Sequence, residues 1–214
     1  VYLKKLIPDL HVAIPKTAVI GMNEFDNFLE NNNLYDVIFE DKEYNHVLEA
    51  FRTARLSEQL RNNLRKYLQV MTKPLAVRSS GLFEDSLNQP FAGVYSTYLL
   101  PNNHPDIERR LEDVENAIKL VFASIYSPES RAYFNAIDYM SEEEKMAVII
   151  QEVIGNEHNG RYYPEISGVA QSYNFYPFSY IQPEDGFAVT AIGLGPTSLG
   201  KRHTVSVLPI PNYN

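Results

Sequence analysis

The order of helical and extended patterns along this 214-residue sequence predicts an α+β fold. Apolar residues recur at helical spacing in the first part of the chain, as in the stripe of Leu60, Leu64 and Leu68. Short apolar and aromatic runs predict strands further along, and Asn159-Gly160 supplies hairpin-turn chemistry between them. We therefore expect a mostly helical part, residues 1–72, and an α+β part, residues 73–214, as pieces of one domain. Its sheet is expected to be mixed or antiparallel, with flanking helices.

The helical part is expected to begin with one short strand over residues 18–20. Asn23 is the expected N-cap of the helix that follows, and the asparagine run at 31–33 ends it. A further helix is expected over residues 43–54, and Ser57 caps the next one. The leucine stripe of that last helix is typical of a side that faces the core rather than a ligand.

The α+β part is expected to combine strands with a long amphipathic helix over residues 107–125, which has Pro105 at its start. A second helix begins at Ser127-Pro128, and the acidic run Glu142-Glu143-Glu144 is expected to remain solvated. The expected strands lie at residues 73–77, 94–100, 146–154, 161–173, 187–192 and 204–208.

The composition argues against several classes of protein. A net charge of −8 at pH 7 disfavours nucleic acid as the main partner, although a local basic pocket still allows a mononucleotide. The absence of cysteine excludes disulfides, thiolate nucleophiles and cysteine metal sites. The apolar runs are too short for a membrane span and no signal-peptide pattern is visible, so we expect a cytoplasmic protein. The five histidines share no metal-ligand spacing.

Residues 76–99 carry the densest chemical pattern in the chain. Between two predicted strands they place Arg78, a pair of serines and the run Phe91-Ala92-Gly93. A loop of this kind brings an arginine fork, hydroxyls and free backbone N–H groups to one anion. The residues alone leave a surface hairpin equally open, in which Arg78 pairs with Glu84 or Asp85.

This segment resembles the nucleotide-binding domain of the phosphoenolpyruvate synthase and pyruvate phosphate dikinase family. The family elements stand here as Val77-Arg78-Ser79-Ser80, Glu84-Asp85, Phe91-Ala92-Gly93 and Thr97-Tyr98-Leu99. Weaker matches occur in the family order at residues 14–20, where Thr17 replaces a family glycine, and at 148–154, 167–169 and 193–195. The resemblance implies an ATP-grasp-like domain, truncated at both ends, in which the nucleotide lies between two α+β lobes.

The resemblance also implies which residues hold the nucleotide phosphates. The family arginine that matches Arg78 contacts them, and the threonine that matches Thr97 lies near them. Ser79 would add a hydroxyl, and Gly93 would let the backbone approach without a Cβ. The alternatives are a salt bridge for Arg78, turn hydrogen bonds for Ser79 and an ordinary strand position for Thr97.

The strand end formed by Gln151, Val153 and Ile154 is implied as the adenine side. A strand edge offers one carbonyl and one N–H at the spacing that adenine requires. In the family the residue matching Gln151 reaches toward the base or the ribose. Without the resemblance, this segment is a buried strand that ends at Gly155.

Several family segments do not match anything in the sequence. They are the Gly-Gly-Lys-Gly-type segment with its phosphate-binding lysine, the Asp-x-Glu metal strand, the phosphohistidine domain and the pyruvate-binding barrel. Pro196 stands where the family has a glutamate after Gly-Leu-Gly. We therefore expect ATP or AMP as ligand, Mg²⁺ ligands outside these residues, no catalytic or metal-binding residue within them, and no activity of the chain alone.

The function implied by the resemblance is the ATP-binding part of a phosphotransferase with paired acceptors. The whole enzyme would pass a phosphoryl group from ATP through a phosphohistidine to pyruvate, so its own phosphohistidine and pyruvate-binding domains are the expected partners. A sibling dikinase could instead use another acceptor, such as a glucan or an antibiotic. The residues also leave open a non-catalytic module for nucleotide sensing or protein interaction, and a binding module without any nucleotide.

Overall fold

A four-stranded antiparallel sheet organises the part of the chain that the structure, a computed structural model, describes. The described residues are 11–40, 43–81, 94–137, 144–177 and 182–195. The strand order is β1–β4–β2–β3, and every neighbouring pair is antiparallel. The strands are β1 (Thr17–Ile20), β2 (Leu75–Gly81), β3 (Thr97–Leu100) and β4 (Met146–Glu152).

Six described α-helices precede or separate these strands and cover one face of the sheet. They are α1 (Met22–Asn31), α2 (Leu34–Glu40), α3 (Tyr44–Thr53), α4 (Glu58–Val70), α5 (Ile107–Ala123) and α6 (Pro128–Ala136). Leu60, Leu64 and Leu68 of α4 are all buried, which confirms the core-facing stripe. The hydroxyl of Ser57 accepts a hydrogen bond from the Leu60 N–H at 3.1 Å, so the predicted cap is also confirmed. Among the described helices, none combines the length and apolar character that crossing a bilayer requires.

Two short antiparallel hairpins follow the main sheet. The first pairs β5 (Asn156–His158) with β6 (Arg161–Tyr163) around Asn159 and Gly160, whose φ angles are 53° and 75°. Positive φ at both central residues is the type I′ geometry that matches strand twist, so the predicted turn is confirmed. The second pairs β7 (Ile166–Gln171) with β8 (Phe187–Ile192). Together with the helices and the antiparallel main sheet, these hairpins confirm the predicted α+β class.

The two faces of the main sheet differ sharply. Side chains alternate between faces along a strand, and residues directly opposite on antiparallel neighbours share a face. Val77 and Ile150 are opposite each other and lie fully buried beneath the helices. None of the described helices covers the other face, which we call the open face, and Val19 on it is 66 % exposed. The open face includes Thr17, Val19, Ala76, Arg78, Ser80, Thr97, Leu99, Ala147, Ile149 and Gln151.

The local structure differs from the sequence expectations at the start of helix α1 and at the end of strand β2. Helix α1 begins after Gly21, which lies in extended conformation, so Asn23 occupies the first turn and is not the cap. Strand β2 continues through Arg78 and Ser79 to Gly81, and the predicted loop conformation for Arg78 is therefore wrong. Pairing with β4 on one side extends β2 beyond its apolar run, because the ladder satisfies backbone groups whatever the side chain.

The acidic run was expected to be solvated, but its last member is buried. Glu144 is 1 % exposed, and its Oε1 accepts a hydrogen bond from the Tyr95 hydroxyl at 3.0 Å. A tyrosine hydroxyl can offset part of the cost of removing a carboxyl group from water, which a pattern of charges cannot reveal. Glu142, Glu143 and the expected strand over 204–208 lie outside the described residues.

Candidate functional site

The register of the main sheet brings three of the predicted site residues onto the open face. Thr97 of β3 lies directly opposite Arg78 of β2. Two residues back along β2, Ala76 lies opposite Gln151 of β4. Residues two apart on a strand are separated by about 6.6 Å. Arg78 and Thr97 therefore form one row of side chains, and Gln151 belongs to the next row.

A pocket of about 170 Å³ lies at the end of this face, where β4 leaves the sheet. We call it the strand-end pocket. Its walls come from the main sheet, from the segment that follows β4 and from the neighbourhood of the β7–β8 hairpin. The lining residues are Pro15, Ala76, Leu99, Gln151, Glu152, Val153, Ile154, Pro164, Ser167 and Leu194.

On the hairpin side of the pocket, hydrogen bonds connect Ser167 with Gly193 and Gly195, which lie far from it in the sequence. The Ser167 hydroxyl donates to the Gly193 carbonyl at 2.7 Å and accepts from the Gly195 N–H at 2.9 Å. Gly193 has φ 77°, a conformation that favours glycine, and it turns the chain so that Leu194 lines the pocket. Neither Ser167 nor Leu194 is among the site residues predicted from the sequence. Only the spacing of their motifs in the family order pointed to them.

Hydrogen bonds already occupy part of the strand end predicted for adenine. The N–H of Glu152 donates to the Lys16 carbonyl at 2.9 Å, and that of Val153 donates to the Pro74 carbonyl at 2.8 Å. Ile154 is 51 % exposed, and no described residue accepts a hydrogen bond from its N–H. Ile154 also lines the strand-end pocket.

A salt bridge borders the same pocket on its sheet side. The Lys73 Nζ lies 2.8 Å from Oε1 of Glu152, whose side chain is nearly buried. The hydrogen bond from Lys73, together with its charge, lowers the pKa of Glu152 despite the opposing effect of burial. The same contact raises the pKa of Lys73. The pair thus holds both groups charged and anchors the start of β2 to the end of β4.

Replacing Lys73 with methionine should make the protein less stable at neutral pH and alter its acid response. A carboxyl whose pKa is lower in the folded protein adds stability that is complete above its unfolded pKa, about 4.3. That stability is lost as the pH falls through the lowered folded pKa. The difference in free energy of unfolding between parent and Lys73→Met should therefore be largest near pH 7 and shrink below about pH 4. Urea denaturation across this range measures it, and a difference independent of pH would contradict the assignment.

The remaining predicted residues fall into different environments. Arg78 is exposed, and its guanidinium forms no ion pair with any of the described residues. Ser79 is 4 % exposed and lies on the helix-covered face, away from Arg78. Gly93, Glu84 and Asp85 lie outside the described residues. The structure thus brings Arg78, Thr97, Gln151, Val153 and Ile154 to one side of the sheet, but not Ser79.

Residues 1–202 match the protein family described as "Pyruvate phosphate dikinase, AMP/ATP-binding domain". The chain belongs to this family. The match covers the main sheet, both hairpins and the strand-end pocket, so the resemblance inferred from residues 76–99 is confirmed. The family description makes the expected ligand class a nucleotide, AMP or ATP.

A relative of this AMP/ATP-binding domain is the "Uncharacterized phosphotransferase YvkC" of Bacillus subtilis (strain 168). The two sequences are 26% identical over 149 residues, which make up 70% of this chain and 17% of the relative. The chain therefore spans less than a fifth of that phosphotransferase.

The described residues of the domain offer no metal centre. None of their histidine, aspartate and glutamate side chains forms a group of three or more that could hold a metal ion. Mg²⁺ in phosphoryl transfer is held by carboxylates and substrate phosphates.

Proposed function

We propose that this domain binds ATP or AMP along the open face, with the adenine in the strand-end pocket and the phosphates toward Arg78. The main support for the proposal is that Arg78 and the pocket-lining residue Ala76 both lie on the open face. Ala76 lines the pocket, and Arg78 stands two residues further along the same strand. A ligand with an apolar, flat end and an anionic end separated by a sugar matches this arrangement.

The strand-end pocket suits a base rather than a whole nucleotide. Pockets that enclose a complete small ligand usually exceed about 300 Å³, and this one holds about 170 Å³. Ala76, Leu99 and Leu194 supply apolar walls, and the Ile154 N–H supplies a donor. A ring nitrogen of adenine accepts such a hydrogen bond, while the sugar and phosphates extend out along the open face.

The phosphate side rests on Arg78, with Thr97 opposite it in the same row. A guanidinium binds two phosphate oxygens at once and remains charged at any working pH. The Thr97 hydroxyl adds a neutral donor from the neighbouring strand. Gly93 stays a prediction for the same region, whereas the position of Ser79 on the helix-covered face supports a structural role.

In the whole protein, we propose that the bound ATP serves a cytoplasmic phosphotransferase with paired acceptors. The γ-phosphoryl group would pass to a histidine of another domain and then to pyruvate or a different final acceptor. The family membership and the phosphotransferase relative support the reaction class. Mg²⁺ ligands and the acceptor histidine would come from outside the described residues, so these residues alone should bind nucleotide without transferring it.

Calorimetric titration of the protein with ATP and AMP tests the proposal directly. We expect one saturable site and a rise in melting temperature that grows with the logarithm of ligand concentration above Kd. At a hundred times Kd the stabilisation should reach about 2.7 kcal/mol. The absence of both heat and a thermal shift, with either nucleotide, would overturn the proposal and favour a module that has lost its ligand.

A further inference from the structure

A short chain of hydrogen bonds links three residues across β1 and β4 beside the strand-end pocket. The Thr17 hydroxyl donates to the Pro15 carbonyl at 3.0 Å. Nε2 of Gln151 donates to that same Thr17 oxygen at 3.0 Å. Thr17 and Gln151 are directly opposite each other on the open face, and both Pro15 and Gln151 line the pocket.

The chemistry of the hydroxyl determines which way the Gln151 amide must point. A threonine hydroxyl has one hydrogen to donate and two lone pairs that accept. Its hydrogen is committed to Pro15, since a carbonyl oxygen can only accept. The group that Gln151 turns toward Thr17 must therefore be its NH₂ and not its oxygen. It agrees with the position of Nε2 of Gln151, 3.0 Å from the Thr17 hydroxyl oxygen.

With one N–H of its NH₂ group bonded to Thr17, Gln151 offers a ligand its amide oxygen as the acceptor, beside the second N–H. No described residue donates a hydrogen bond to this oxygen. An oxygen acceptor at the pocket favours a ligand that carries an N–H donor and opposes one that carries a carbonyl at the same place, since two acceptors face each other without a hydrogen.

We propose that Thr17 is a positioning residue that orients Gln151 to accept a hydrogen bond from the exocyclic amino group of adenine. The inference rests on the proposed nucleotide function and adds the source of its base preference.

The test measures the affinity of two ligands for the whole polypeptide that contains these residues and for two of its variants. The ligands are ATP and purine riboside triphosphate, which lacks the amino group at position 6. Thr17→Val removes the hydroxyl while keeping the β-branched shape of a strand residue. It should weaken ATP binding by about two- to tenfold, the range of one neutral hydrogen bond, and leave binding of the analogue unchanged. Thr17→Ser keeps the hydroxyl and should retain the parental preference.

The failures of the two proposals are distinguishable. If the parent protein binds neither ligand, the nucleotide function itself is wrong. If the parent binds ATP but Thr17→Val changes the affinity for neither ligand, or for both equally, the positioning role is overturned. Titration with 2′-deoxy-ATP locates the contact: a Thr17→Val loss that vanishes with this ligand would place it at the ribose and overturn the assignment to the base.

Discussion

An Arg78→Ala variant should bind ATP about 10- to 150-fold more weakly than the parent protein. Arg78 is exposed on the open face, and no described residue neutralises it. In the proposed complex its guanidinium makes charged hydrogen bonds with phosphate oxygens, worth about 1.5–3 kcal/mol. Stability should change little, because the side chain leaves no cavity in the core when it is removed. Calorimetry gives the affinity and a thermal melt gives the stability.

Two further variants make the Arg78 result specific. Arg78→Lys keeps the charge but loses the planar fork, so its affinity should fall between those of the parent and the alanine variant. Arg109→Ala removes another exposed arginine, which lies in α5 on the helical side of the sheet and pairs with Glu112 at 2.8 Å. Its ATP affinity should equal that of the parent. If the parent and Arg78→Ala bound ATP with equal affinity, the proposal that the phosphates bind at Arg78 would be wrong.

A Phe122→Ala variant should lose about 3–5 kcal/mol of folding stability. Phe122 lies in α5 and is 0% exposed. Its ring centroid lies 5.1 Å from that of Phe25 and 5.5 Å from that of Phe28, so it ties α5 to α1. Removing the ring leaves a cavity and breaks both aromatic pairs, whose geometry adds about 0.5–1.5 kcal/mol each beyond burial. For a domain of this size the melting temperature should fall by about 6–20 °C.

Phe175→Ala is the matched control for this loss. Phe175 is 72% exposed and contacts Tyr173 edge to face at 4.9 Å. Its truncation should change stability by no more than about 0.5 kcal/mol. A small effect of Phe122→Ala, similar to that of Phe175→Ala, would show that the aromatic cluster does not hold the helices together.

Much of the local structure was predictable because short-range rules dominate there. The leucine stripe of α4, the Ser57 cap and the Asn159-Gly160 turn each depend on residues within a few positions of one another. Helix α2 was not predicted, and neither was the buried state of Glu144. The latter depends on Tyr95, a partner 49 positions away in the chain. No local pattern contains that information.

In the candidate site, too, some features were predictable from the sequence and others were not. The types and spacing of residues 76–99 alone left an anion-binding loop and a surface hairpin equally open. The resemblance of these residues to the dikinase family is confirmed by the family match. The types and spacing could not show that Arg78 lies in a strand, or that Ser79 faces the helices while Arg78 faces out. Side chains alternate strictly along a strand, so one position decides between the ligand side and the core.

By itself, therefore, the sequence determined the α+β class, most helix and strand positions, and the membership of a nucleotide-binding family. The class and the element positions depend on periodicity, caps and turns, which act over a few residues. The family membership was indicated by the resemblance of the motifs in residues 76–99. Only the tertiary structure decided which residues meet. The antiparallel register places Thr97 opposite Arg78, and Gln151 opposite both Ala76 and Thr17. Register is set by burying one face of the sheet against helices from distant parts of the chain, a long-range condition that no local pattern encodes.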